Sequence, residues 1–196
     1  MSSLPMNETY ISDQHFEKLD FTVHPIQKAN YEDCSFTDCN FSAVDLSELR
    51  FSDCEFKSCN LSMARLRKTA FSTVNFHGCK LLGLQFNELS TFGLSFSFEQ
   101  CQLDHAVFYK LNLKGIRFDD CRLLEADFGE CNLTKAVFDH CDLSGALFDQ
   151  SILEQADFRT AHNFTIDPEN NRMKKARFSE AGLAGLLQKY NILIEH

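Results

Sequence analysis

Nine cysteines and seven histidines are the residues of this 196-residue chain that could bind a metal ion or support redox chemistry. Six of the cysteines recur at one spacing in two sets, Cys39, Cys59 and Cys79, and Cys101, Cys121 and Cys141. One interpretation of that spacing is a ladder of thiolates that binds metal ions or supports redox chemistry. The chain has, however, no CxxC pair, no HExxH or HxxxH motif, no GxSxG and no glycine-rich phosphate loop. We therefore expect no metal, no cofactor and no enzyme activity, and we interpret the cysteines as small buried apolar residues.

Carboxylates are the second group with possible chemistry, because 28 acidic residues outnumber 19 basic ones for a net charge of −9. Residues 118–157 hold ten acids against two bases, Arg122 and Lys135, which gives −8 for this segment. The ten are Asp119, Asp120, Glu125, Asp127, Glu130, Asp139, Asp142, Asp149, Glu154 and Asp157. We predict that they form an acidic partner-binding face. The acidic balance argues against direct nucleic-acid binding, which needs a basic patch.

A period of five residues predicts the elements that position these side chains. An apolar residue occupies every fifth position from Phe16 to Phe86 and, after a slip of two residues, from Phe98 to Phe158. Five matches neither the 3.6-residue period of a helix nor the two-residue period of a strand. Each unit must therefore contain a turn, and four units per coil give a square, coiled rod.

The position two residues before each apolar centre supports this rod. All nine cysteines occupy that position, and in the second block an alanine stands there before five phenylalanine centres and a cysteine before four leucine centres. A large centre with a small neighbour, alternating with the reverse, keeps the packing density of a uniform core constant. We predict that both positions face inward and that the other three, which carry all ten acids, face solvent.

Units such as ADFGE (126–130), CNLTK (131–135) and ADFRT (156–160) resemble the A(D/N)LXX repeat of pentapeptide-repeat proteins. The resemblance covers about residues 16–180. It implies an all-β solenoid, a right-handed quadrilateral β-helix, with a lead-in at 1–15 and a phase slip near 87–97. The slip itself predicts a bulge or kink in the rod.

Residues 181–196 predict a C-terminal module. Ser179 can cap a helix from about 180 to 190, and the apolar run after it predicts a short strand at 192–194. The module can cap the open coil end, form a dimer interface, or do both. We favour a homodimer interface made by Leu183, Leu186, Leu187, Tyr190, Ile192 and Ile194.

A rod that ends in an apolar helix is similar to pentapeptide-repeat proteins of the Qnr and MfpA type. The segments CNLS (59–62), CKLLG (79–83) and KKARFS (174–179) resemble the albicidin-resistance members of that group. The resemblance implies a homodimeric DNA mimic that binds DNA gyrase or topoisomerase IV and protects against inhibitors of these enzymes. The two-residue slip leaves little room for the long loops of many Qnr proteins, which argues against quinolone protection.

Two other functions stay open at this point. The chain can be an interaction scaffold unrelated to topoisomerases, with acidity that serves solubility. A carbohydrate-active β-helix enzyme is the third interpretation and requires a groove with clustered acids. The N-terminus lacks a secretory signal pattern and no apolar run reaches about 18 residues, so we predict a cytoplasmic protein without membrane contact.

Overall fold

The structure, a computed structural model, describes residues 9–193 and is a coil of short parallel strands. The strands are β1 (Tyr10–Ser12), β2 (His15–Glu17), β3 (Asn30–Glu32), β4 (Ser35–Thr37), β5 (Arg50–Ser52), β6 (Glu55–Lys57), β7 (Ala70–Ser72), β8 (Val74–His77), β9 (Phe96–Glu99), β10 (Arg117–Asp119) and β11 (Val137–Asp139). They form two sheets, in the orders β1-β3-β5-β7 and β2-β4-β6-β8-β9-β10-β11. Isolated parallel bridges between successive coils continue the ladders on the remaining sides.

Each residue lies beside its counterpart four units later, as Phe16 lies beside Phe36 and Phe36 beside Phe56. The chain is therefore the square coil that the period of five predicts, and it matches the right-handed quadrilateral β-helix that the resemblance implies. We name its four sides by their inward centres. Side A has Phe118 and Phe138, side B has Leu123 and Leu143, side C has Phe128 and Phe148, and side D has Leu133 and Leu153.

Phenylalanine columns fill the core. On side A nine rings form one unbroken column, with adjacent centroids 4.7–5.4 Å apart and interplanar angles of 0–17°. Its members are Phe16, Phe36, Phe56, Phe76, Phe98, Phe118, Phe138, Phe158 and Phe178. Rings of side C meet those of side A edge to face, as Phe128 and Phe138 do at 5.6 Å and 85°. Both arrangements are favourable for aromatic quadrupoles, so the core gains specific geometry as well as buried area.

A left-handed residue supplies the turn that each unit needs. Non-glycine residues with positive φ recur two positions after the centres, for example Asp33 (51°), Asp38 (53°) and Asp53 (52°). Aspartate and asparagine tolerate this conformation better than β-branched residues do. Thr73, at φ 55°, is the β-branched exception among the described residues.

The phase slip makes one coil two residues longer than the others. Strand β8 pairs with β9 so that Phe76 lies beside Phe98, and the side A column continues through the slip. The two extra residues are absorbed on side D, where the chain bows outward around Phe92, whose exposed fraction is 90%. The four-stranded sheet of side D therefore ends at β7, and its ladder resumes only at Asn112.

Both ends of the coil differ from the sequence boundaries. The ladder already includes β1, because Ile11 lies one unit before Phe16 and pairs with Tyr31, so among the described residues the coil extends N-terminally beyond residue 16. The C-terminal segment is helical but mostly not α-helical: a 3₁₀ turn (Glu180–Gly182), the α-helix α1 (Ala184–Leu187) and a 3₁₀ turn (Gln188–Tyr190) follow one another. Ser179 is the cap, and its hydroxyl accepts from the Gly182 N–H at 3.2 Å.

The predicted strand at 192–194 is not formed in its described part. Ile192 and Leu193 pair with no strand of the described residues, and Ile194 lies outside that range. Asn191 adopts a left-handed conformation at φ 49° and ends the helical segment. The two residues that follow therefore do not continue any ladder of the coil.

Candidate functional site

The cysteines lie in the core as the sequence predicts, and all nine are buried and free. Their thiols donate to backbone carbonyls, as Cys59 does to Phe36 at 3.2 Å and Cys131 does to Phe108 at 2.9 Å. Burial raises the pKa of Cys54 and of Cys131 to about 12. Cys54 and Cys131 are therefore protonated at neutral pH and pack as small apolar groups.

All ten predicted acids lie on the outside, but they are spread over four sides. Side A carries Asp119, Asp120, Asp139 and Asp157; side B carries Glu125 and Asp142; side C carries Asp127, Glu130 and Asp149; side D carries Glu154. The single acidic face expected from the segment 118–157 is therefore not one surface. The segment wraps twice around the rod, so closeness in sequence does not place side chains together.

Most of these acids have basic partners within 4.0 Å. Five pair with arginine or lysine, namely Asp119, Glu130, Asp139, Glu154 and Asp157, and two pair with histidine, namely Glu125 and Asp142. The partners include Arg117 and Arg159, which lie just outside the segment 118–157 but on side A of the same coils. Arg122, which the charge count sets against the ten acids, pairs instead with Asp104.

Two of the side A acids form a cluster around Arg117. Arg117 contacts Asp119 at 3.1 Å and Asp139 at 2.6 Å, across two adjacent coils. The Thr160 hydroxyl donates to Asp139 at 2.8 Å and, with help from Arg117, holds the pKa of that carboxyl below its ordinary value. Together with His140, the two carboxylates bring three possible ligand atoms within 4.8 Å of one another. The guanidinium between them already supplies the positive charge that a cation would bring.

Side C is the most acidic side of the C-terminal half. Between residues 98 and 178 it holds five acids against one lysine, a net −4; its acids are Asp127, Glu130, Asp149, Asp167 and Glu169 and its lysine is Lys110. Sides A and B each have a net −2 over the same residues. Of the ten predicted acids, Asp127 and Asp149 on side C and Asp120 on side A have no basic partner within 4.0 Å among the described residues.

A shallow groove of about 490 Å³ runs between the two side C carboxylates that lack a basic partner. Asp127 and Asp149 line it together with the Tyr109 ring and Leu147, whose exposed fraction is 58%. Gly129 leaves the groove open, because a Cβ there would lie 3.2 Å from the Tyr109 ring. The groove therefore offers carboxylates and an apolar wall to the long side chain of a basic partner residue.

Side D is basic in its C-terminal half, a feature that the charge count missed. Between residues 98 and 178 it holds five basic residues against Glu154, a net +4; the bases are Lys114, Lys135, Arg172, Lys174 and Lys175. In the N-terminal half the same side is acidic, with Asp13, Glu32, Asp33 and Asp53 against Arg50. The positive charge of side D can be read from the sequence when positions are grouped by side, because Lys114 and Lys174 hold equivalent positions in their units.

The C-terminal segment divides the predicted dimer residues into two sets. Leu186 packs against the core cluster and closes the coil end. Leu183, Leu187, Tyr190 and Ile192 remain exposed, as does Leu193, whose exposed fraction is 93%. Gly185 allows the close approach of the segment, since a Cβ there would clash with the carbonyl oxygen of Phe164.

Salt bridges hold this segment to the last coil. Lys189 contacts Asp167 at 2.7 Å and Glu169 at 2.6 Å, and the Tyr190 hydroxyl donates to Glu169 at 2.9 Å. The exposed apolar residues are thus presented on a fixed support.

Comparison with known proteins identifies the class. The pentapeptide repeat region family model matches residues 29–97 and 94–163, and the two matches meet at the slip. The chain belongs to the pentapeptide-repeat family.

Two solved structures share this fold. QnrB1, in a trypsin-treated variant form described as a plasmid-mediated fluoroquinolone resistance protein, is 22% identical over 96% of this chain and 92% of its own, with a TM-score of 0.61. HetL, a protein involved in heterocyst differentiation regulation from the cyanobacterium Nostoc sp. strain PCC 7120, is 16% identical over 88% and 86%, with a TM-score of 0.53. No curated protein matches the sequence. Within residues 9–193, no helix is long and apolar enough to cross a membrane.

Proposed function

We propose that the protein is a DNA mimic that binds DNA gyrase or topoisomerase IV and protects the enzyme against inhibitors. Support comes from side C, which presents the carboxylates of Asp127 and Asp149 on a rigid rod, with no basic side chain of residues 9–193 within 4.0 Å of them. A duplex offers one charge per about 1.7 Å of axis to such an enzyme, and adjacent coils repeat carboxylates about every 4.8 Å along the rod. The mimicry is therefore partial and resides on one side rather than around the rod.

The protein acts in this proposal as a cytoplasmic homodimer and by binding, not by catalysis. The exposed residues Leu183, Leu187, Tyr190 and Ile192 join two rods end to end at their C-termini. Side C then places its carboxylates near the centre of the dimer. One rod of about 40 Å gives a dimer of about 80 Å, comparable with about 23 base pairs.

Sedimentation of the pure protein tests the dimer. The double variant Leu187→Glu/Ile192→Glu should be a monomer with an unchanged melting temperature, because both side chains are exposed. Val23→Glu, an equally exposed apolar residue at the other end of the rod, is the matched control and should stay dimeric. A monomeric native protein would contradict the dimer.

A supercoiling assay with gyrase and a panel of inhibitors tests the target. An excess of the native protein should inhibit supercoiling, or the protein should restore supercoiling in the presence of an inhibitor. Added salt should weaken either effect steeply. Asp127→Asn/Asp149→Asn should lose most of the effect. Asp33→Asn/Asp53→Asn, with the same charge change on side D, should retain it. Supercoiling that is indifferent to the native protein, with and without every inhibitor, would end the proposal.

A scaffold unrelated to topoisomerases is the second candidate. One observation favours it: seven of the ten predicted acids already have basic or histidine partners, so the acidic surface is interrupted. HetL, a pentapeptide-repeat protein involved in heterocyst differentiation regulation, has a similar fold. Under this interpretation, the two asparagine double variants would behave alike in every topoisomerase assay.

A further inference from the structure

Side D has an open strand edge where the phase slip interrupts its ladder. The chain leaves the ladder after Ser90, whose N–H donates to the Thr69 carbonyl, and returns at Ser95, whose N–H donates to the Phe71 carbonyl. Residues 91–94 bow outward between these two bonds. One strand of side D is therefore missing between β7 and the coil that contains Asn112.

The coil that follows the gap in the chain, which contains Asn112, has unpaired backbone groups. In the next coil, the Asn132 N–H donates to Leu111 at 2.9 Å, and the Asn132 and Thr134 carbonyls accept from Leu113 and Gly115 at 2.8 and 2.9 Å. The equivalent groups one coil earlier are the Asn112 N–H, the Asn112 carbonyl and the Lys114 carbonyl. None of the three has a hydrogen-bond partner in the chain from residue 9 to 193. They form an edge of one donor and two acceptors.

The coil that precedes the gap in the chain, which contains β7, also has a backbone N–H without an acceptor among the described residues. The Asp53 N–H donates to the Ser72 carbonyl of the following coil at 2.8 Å. The equivalent donor one coil later, the Thr73 N–H, has no acceptor among the described residues. Unpaired strand edges are templates for pairing with another chain, and peptide-binding domains use them in this way.

A notch of about 240 Å³ lies against the strand edge at Asn112 and Lys114. Its apolar lining comes from Leu94, Phe96, Leu113 and Ile116, and the exposed Lys114 stands at its rim. The two lysines nearest the gap on its C-terminal side, Lys114 and Lys135, favour an acidic occupant, and β7 on its N-terminal side carries no charged residue. An inserted strand would place alternate side chains in the notch and the others among the lysines.

We infer that this gap is a β-augmentation site for an extended acidic segment of a partner protein. The segment pairs in parallel with Asn112 and Lys114, its apolar residues enter the notch, and its carboxylates face Lys114 and Lys135. The inference concerns side D and does not depend on the DNA mimicry proposed for side C.

Amide exchange and peptide binding to the full chain test the site. In the free protein the Asn112 amide should exchange at least a hundredfold faster than the Asn132 amide. The probe is a fluorescein-labelled peptide, EDVTVTVDE, followed by fluorescence anisotropy. It should bind at least tenfold tighter than a copy N-methylated at alternate residues and tenfold tighter than the basic copy KKVTVTVKK, and it should slow exchange at Asn112.

Three variants locate the binding. Lys114→Glu should weaken the peptide severalfold, while Lys68→Glu, the same charge change on side C, should not. Deletion of Thr91 and Gly93 places Phe92 one unit after Phe86 and one unit before Phe98, so it should close the ladder and abolish binding. Equal binding of the methylated and unmethylated peptides, no binding of EDVTVTVDE, or an Asn112 amide as protected as Asn132 would overturn the inference. A deletion that changes the oligomeric state would instead assign the gap to a second copy and overturn it as well.

Discussion

The ring of Phe98 stacks on the ring of Phe76 at 5.3 Å and 17°, although the chain between them is two residues longer than the chain between other neighbours in the column. One coil of different length therefore leaves the side A column continuous. The column, and not the length of each coil, is the part of the structure that stays constant along the rod.

A substitution at Phe118 tests how much this column contributes to the free energy of unfolding. Phe118 is fully buried between Phe98 and Phe138, at 5.4 and 5.2 Å. Phe118→Ala should lower the free energy of unfolding by about 3–5 kcal/mol, because it removes buried area and leaves a cavity. Chemical denaturation measures the loss. Phe92→Ala, at an exposed position, is the control, and a loss at Phe118 no larger than at Phe92 would show that the column is not a stabilising element.

Thr73 is predicted to be a strained position. It is β-branched, has φ 55°, and occupies the turn position that Asp33 and Asp53 occupy in earlier coils of side D. Thr73→Asn should raise the stability by about 0.5–1 kcal/mol, which is a few degrees in melting temperature, because asparagine tolerates the left-handed region. Ser72→Asn, at the neighbouring position, should give no gain. A lower melting temperature for Thr73→Asn would mean that the threonine conformation is not strained.

Asp157 should make part of the stability depend on pH. Side-chain hydrogen bonds from Arg159, at 2.7 and 2.9 Å, hold the pKa of Asp157 below its ordinary value. A pKa lower in the folded state means that the stabilisation is present above the unfolded pKa, near 4, and is lost as the pH falls through the folded pKa. Asp157→Asn should therefore cost about 0.5–1 kcal/mol at pH 7, given the solvent screening, and progressively less as the pH falls through the folded pKa.

Thermal unfolding across this pH range measures the effect at Asp157. Asp120→Asn removes an exposed carboxylate without a basic partner and should leave the profile unchanged. A cost at Asp157 that is the same at pH 2 and pH 7 would contradict an electrostatic origin.

The thiols should be inert while the protein is folded. A thiol reagent at pH 8 should modify none of the nine cysteines in the native protein and all nine in denaturant, because the thiolate is the reactive form and burial raises the pKa of Cys54 and Cys131 to about 12. The time course of reagent absorbance gives both counts. Rapid modification of any cysteine in the native protein would show that its coil opens.

The coil could be predicted well because a period of five requires a turn in every unit and because each unit repeats the same solution. The opposed volumes of Cys131 with Leu133 and of Ala136 with Phe138 follow from a uniform core, and the structure buries all four. The period of five also predicts that Ile11 belongs to the coil, since it lies five residues before Phe16.

The candidate surfaces were harder to predict. Acids were grouped by position in the chain, whereas the coil groups residues that hold the same place in successive turns, so the pairing of Arg117 with Asp139 and the positive side D were missed. The open edge at Asn112 depends on the path of residues 91–94, which no local pattern specifies. The resemblance to albicidin-resistance proteins and the dimer stay predictions.

The lengthened coil also bears on how such rods can change in evolution. In an ordinary sheet, an inserted residue shifts the register and turns every later side chain to the opposite face. Here side D takes up the insertion by bowing outward, and Phe98 returns to the place that a coil of ordinary length would give it. A two-residue insertion is thus compatible with an unchanged core, so the outer surface of such a rod can change while its core stays the same.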